Sequence, residues 1–140
     1  MPGVKDWIAK ASGDLKVAKM ASLDADVFDI AAYLIHQSAE KSLKSYLVFC
    51  GQTILKTHNL ILLLEACAKK DQSFRSLFED ILILNPYGVY SRYPDDRFSM
   101  TKEEVDEAIT KAIKILNFVK KKISEPKNPT QKLFEKIDNQ

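Results

Sequence analysis

Glycine and proline are scarce, four and five among 140 residues. A β-sandwich or barrel needs a turn about every ten residues, and turns draw on those two residue types, so the deficit excludes many short strands and favours long helices. Cysteine is rarer still: Cys50 and Cys67 fall in apolar runs that read as helix, with no CxxC spacing. That excludes a disulfide-stapled miniprotein and predicts buried free thiols. No apolar run approaches the ~20 residues of a membrane span, and the N-terminal MPGVKDWIAK carries no apolar leader, so a cytoplasmic protein without membrane association is expected. Walker, GxGxxG, HExxH and GxSxG motifs are all missing, and no cofactor is expected.

Nor is there an excess of one charge. Lys and Arg number 21 against 19 Asp and Glu, a formal +2. Six lysines against three acids lie in residues 120–140, which leaves residues 1–119 with 15 basic against 16 acidic side chains. Dedicated duplex-DNA binders usually carry a basic stripe and a pI above about 9, so this balance argues against specificity for duplex DNA.

What is present is ordinary core material: 46% hydrophobic residues in a chain long enough for one domain. Val4, Trp7, Ile8, Ala11, Leu15 and Ala18 recur at three and four and predict a first helix over 4–21. A second pattern runs from about Val27 to Cys50 and stops at Gly51. A third covers about Thr57 to Lys70, and its LILLL core is expected to sit centrally, away from water on every side. Ser73 is the expected cap of a fourth helix that ends before Asn85-Pro86. Residues 85–100 break every periodicity and read as one long loop, of the kind that is usually functional when it interrupts a compact domain.

Thr101 and Glu104 then form a capping box for a fifth helix, with Val105, Ala108, Ile109, Ala112, Ile113, Leu116, Val119 and Ile123 as its apolar stripe and Pro126 as its end. The expected architecture is all-α: an antiparallel up-and-down bundle of about five helices over residues 1–126, with one long loop before the last long helix. Residues 127–140 form a basic tail with at most one short turn near Leu133 and Phe134.

Two features could carry chemistry. On the second helix Tyr33, Gln37, Glu40, Lys41 and Lys44 follow spacings that align them along one polar strip, which in its plainest form is a solvated face with i, i+4 pairs. In the loop, Arg92 stands among Tyr87, Tyr90 and Tyr93 and offers a guanidinium that grips phosphate or carboxylate with two donors, while the rings can stack on bases. The plain alternative pairs Arg92 with Asp95 or Asp96 and packs the tyrosines on the bundle. Of the two histidines, His36 has only Glu40 at helical ligand spacing, so no metal site is expected, and His58 reads as a structural residue at a helix start.

AEKSLKSYL on the second helix, KTHNL at the start of the third and SRYPD before the last long helix together resemble the HEPN family, the higher eukaryote and prokaryote nucleotide-binding domain, over roughly residues 5–124. The resemblance implies an antiparallel helical bundle, a homodimer packed through helices, and in prokaryotes pairing with a minimal nucleotidyltransferase in toxin–antitoxin-like systems. Many members are metal-independent ribonucleases built on an arginine followed four to six residues later by a histidine, the imidazole moving a proton while the guanidinium stabilises charge on the phosphate. Here Arg75, Arg92 and Arg97 all lie downstream of His58, so that pair is absent. The implied function is a nucleotide- or RNA-binding module in which Arg92, Lys41, Lys44, Gln37 and Glu40 hold the ligand with Tyr90 and Tyr93. The alternatives are a metal-independent endoribonuclease in which His36 or His58 meets Arg92, and a bundle that serves only protein–protein interaction.

Overall fold

The computed structural model describes residues 2–91, 94 and 98–125. Among these the chain forms six α-helices and no strand: α1 (Val4–Ala21), α2 (Phe28–Phe49), α3 (Leu60–Lys70), α4 (Phe78–Leu84), α5 (Tyr87–Tyr90) and α6 (Lys102–Ser124), with 3-10 turns at Ala25–Val27 and Gln72–Leu77. The all-α bundle is as expected, with one helix more. That helix, α5, opens on Pro86 at φ −63°, a fixed backbone angle that suits a helix start, so the stretch read as loop begins with a helical turn.

α2 is the axis of the bundle, packed against α1 on one side, α6 on another, and α3 and α5 on the rest. Small residues allow the close approach of α1 and α2: Ala11 and Ala18 of α1 and Ser38 of α2 are fully buried. Ser38 Oγ donates to the Ala11 carbonyl at 2.8 Å, a close approach that longer side chains would prevent. α2 ends in a Schellman motif. Gly51 sits at φ 72°, its N–H bonds Val48 O at 2.9 Å, and the Gln52 N–H bonds Leu47 O at 2.9 Å.

The other boundaries differ from the periodicity where short polar side chains intervene. Thr57 Oγ1 accepts from the Asn59 N–H at 3.1 Å and Asn59 Oδ1 from the Ile61 N–H at 2.9 Å, so α3 starts at Leu60 instead of near Thr57. Asn85, beyond the end of α4, reaches back and accepts from the Leu60 N–H at 2.8 Å. Ser73 does not cap the fourth helix: Asp71 Oδ1 accepts from both its N–H and its hydroxyl, at 2.9 and 2.6 Å, and a 3-10 turn precedes α4.

Nor is the LILLL segment enclosed. Each helical residue turns the side chain by about 100°, so Leu60, Leu63 and Leu64 are buried while Leu62 is half exposed. α6 carries the expected capping box, Thr101 Oγ1 accepting from the Glu104 N–H at 3.1 Å and Glu104 Oε1 from the Thr101 N–H at 3.2 Å. Its stripe is buried apart from Ile113 and Ile123, which are half-buried, and Ile115, left out of the predicted stripe, is fully inside. Both cysteines are free thiols: Cys67 is buried, which pushes it up to about 12, while Cys50 is only half-buried. Pro126 and the basic tail lie outside the described residues.

Candidate functional site

The polar strip of α2 is the main departure from sequence expectation. It is not a solvated face: His36, Gln37, Glu40 and Lys44 are all buried, and only Tyr33 and Lys41 are half-buried. α2 is surrounded by neighbouring elements, so residues that a surface helix would turn to water are enclosed and must find partners inside.

Glu40 finds two. Lys44 Nζ donates to Glu40 Oε2 at 3.1 Å, with only 8% and 4% of the two side chains exposed. His58, from the stretch before α3, meets Glu40 Oε1 through Nδ1 at 2.8 Å. A carboxylate only accepts, so Nδ1 carries the hydrogen, and in the neutral ring the second nitrogen, Nε2, then keeps the lone pair. The imidazole itself is 68% exposed. Lys44 also lies 5.9 Å from the centroid of the Trp7 ring of α1, a cation–π contact that shields its charge from water.

Other members of the strip separate. Lys41 leans to α1 and pairs with Asp14 at 2.7 Å, beside an open groove of about 970 Å³ lined by Trp7, Lys10, Asp14 and Val17. Gln37 stays in line one turn before Lys41, and its buried Nε2 makes no hydrogen bond among the described residues. His36 points to α5, where a Cβ on Gly88 would lie 2.5 Å from imidazole Cε1; only glycine lets α5 rest there. Of the loop residues, Arg92 and Tyr93 lie outside the described residues, as do Asp95 and Asp96, and Tyr90 is described only as the last residue of α5. Within α2, Glu40 and Lys44 come together, and Lys41 engages Asp14 instead of joining them.

His58 reads in the sequence as a structural residue at a helix start, or in the ribonuclease alternative as a partner of Arg92, and its bond to Glu40 is in neither reading. It bonds a carboxylate 18 residues earlier in the chain. The available signal was KTHNL itself, a histidine in the polar connection after AEKSLKSYL. Among the described residues no cluster of three His, Cys, Asp or Glu side chains could hold a metal ion, and no helix is long and apolar enough to cross a membrane.

Comparison with known proteins agrees with the fold and the motifs. The HEPN domain signature matches residues 4–122. The crystal structure of an archaeal HEPN homologue is 32% identical, covers 89% of this chain and 100% of its own, and superposes with a TM-score of 0.71. A second crystal structure, of a protein from Thermus thermophilus, is 29% identical, covers 87% of this chain and 99% of its own, and has a TM-score of 0.77. Among curated proteins none matches this chain. With a signature that spans nearly the whole bundle and a solved homologue of the same fold over its full length, the chain belongs to the HEPN family.

Proposed function

We propose that this HEPN protein is a nucleotide- or RNA-binding module. The observation that carries the reading is the buried Glu40–Lys44 pair with the exposed His58 attached to it. Burying two charges costs several kcal/mol each before their attraction offsets it, on the order of what an apolar pair would avoid, so such a pair is a poor device for stability alone. Positioning a titratable ring at the surface is a use that repays the arrangement. Arg92 supplies the phosphate grip, Tyr90 and Tyr93 stack on a base, and Lys41 adds charge once it exchanges Asp14 for the ligand.

In this reading the chain forms a homodimer and acts with a minimal nucleotidyltransferase in a toxin–antitoxin-like pair; the mass of the purified complex tests both. Equilibrium dialysis against a panel of nucleotides and short RNAs tests binding. Retention by the natural chain and its loss in Arg92→Ala/Lys41→Ala is the expected result; retention equal to that of the variant overturns it. The carboxylate-held imidazole also favours a second reading, metal-independent cleavage of RNA, for which RNA left unchanged after prolonged incubation with EDTA is the contrary result.

A further inference from the structure

His58 has one nitrogen occupied and one open. Nδ1 is fastened to Glu40 at 2.8 Å, and Glu40 is itself fixed on its other oxygen by Lys44 at 3.1 Å, both inside the bundle. The chain of bonds runs from a buried ammonium through a buried carboxylate to a ring that is 68% exposed. A free histidine on a polar connection samples many rotamers; this one has its ring plane and tautomer fixed from below. Fixing a donor before the ligand arrives removes an ordering cost that the ligand would otherwise meet.

We infer that His58 is a phosphate-binding residue, its Nε2 donating to a phosphate oxygen of a nucleotide or RNA once the ring is protonated. The inference rests on the nucleotide-binding reading above and names a contact that the strip and the Arg92 loop do not include. An imidazolium donates from both nitrogens, so protonation keeps the Glu40 bond and adds a charged donor pointing away from the protein. The groups around it are consistent with this. From α2 come Glu40 and Lys44, neutral as a pair, and Lys41; from α1 come the uncharged Trp7 ring over Lys44 and Asp14, which pairs with Lys41. Lys56 precedes His58 in its own stretch and is exposed. Glu40 is the one carboxylate that pairs with the ring among the described residues. Both oxygens of Glu40 are already taken, one by Lys44 and one by His58.

The donor at Nε2 exists only on the imidazolium, so the contact makes binding tighter at lower pH. The test uses the full chain, inorganic phosphate and a short single-stranded RNA. In proton NMR, added phosphate should move the His58 Cε1–H resonance. RNA should bind about tenfold more tightly at about pH 5.5 than at about pH 8, and His58→Gln should remove that difference. The ring is largely exposed, so the variant is expected to fold, which circular dichroism checks. RNA affinity identical in His58→Gln, with an unmoved His58 resonance, overturns the inference and leaves the nucleotide-binding reading standing. A phosphate-shifted His58 resonance with no RNA or nucleotide retained at any pH supports the phosphate contact and overturns that reading instead.

Discussion

Two buried carboxylates, Glu40 and Asp80, are held in different ways. Asp80 of α4 accepts from Lys111 at 3.2 Å and from Lys114 at 2.8 Å, both on α6. Burial would raise its pKa, but the bonds from Lys114 and Lys111 outweigh that and hold it below the usual carboxylate range. On Lys111 burial acts the opposite way and is likewise outweighed by Asp80, so the two partners agree in direction. Both lysines keep access to water, and both oxygens of Asp80 end on permanent cations, so the cluster is a clasp between helices. Glu40 instead spends one oxygen on a lysine enclosed with it and the other on an exposed ring that can change its charge. Similar buried acids thus serve differently, according to whether the partner can titrate and whether it reaches solvent.

Breaking each cluster should separate them by size. Glu40→Leu leaves the Lys44 ammonium buried without a carboxylate and should cost about 3–5 kcal/mol in urea unfolding, whereas Glu40→Leu/Lys44→Leu should recover most of it. Full stability in the single variant would show that the pair is not enclosed. Gly88→Ala attacks the cover of the same strip, since its Cβ would meet the His36 ring at 2.5 Å, and should cost about 1–3 kcal/mol as α5 shifts. Asp80→Asn should cost only about 1 kcal/mol, because its lysines can return to water.

The clasp has a pH signature as well. Asp80 has a folded pKa below its unfolded one, so its contribution is complete above about pH 4 and is lost as pH falls through the folded value. Asp71, lowered first by the Ser73 hydroxyl and also by Lys122, adds to the same acid limb. Urea midpoints measured down to about pH 2 should fall less steeply in Asp80→Asn than in the natural chain; parallel curves would contradict the assignment.

Much of this molecule is legible from its residues. Periodicity alone gives α1 over Val4–Ala21 and places Val105, Ala112 and Val119 inside, because a helix with one face left to solvent reports its buried face as a stripe. It fails on α2 because that helix has neighbours around most of its circumference: Gln37, Glu40 and Lys44 read as solvated when only their own helix is considered. Helix starts at Leu60 and Phe78 shift for a local reason, Asn59 and Asp71 taking backbone donors that periodicity cannot see. The Glu40–His58 bond was beyond reach for a third reason, since it joins a helix to a nonperiodic stretch and depends on how that stretch returns over α2.

The difference between the two carboxylates comes down to which nitrogen of His58 carries the hydrogen at neutral charge. Long-range proton–nitrogen correlation spectra of the imidazole at about pH 8 report this directly. If Glu40 holds the ring as described, His58 shows the Nδ1–H tautomer with Nε2 unprotonated, and Glu40→Leu abolishes the preference. A natural chain in which His58 is mainly the Nε2–H tautomer would contradict the Glu40 bond and the open nitrogen that follows from it.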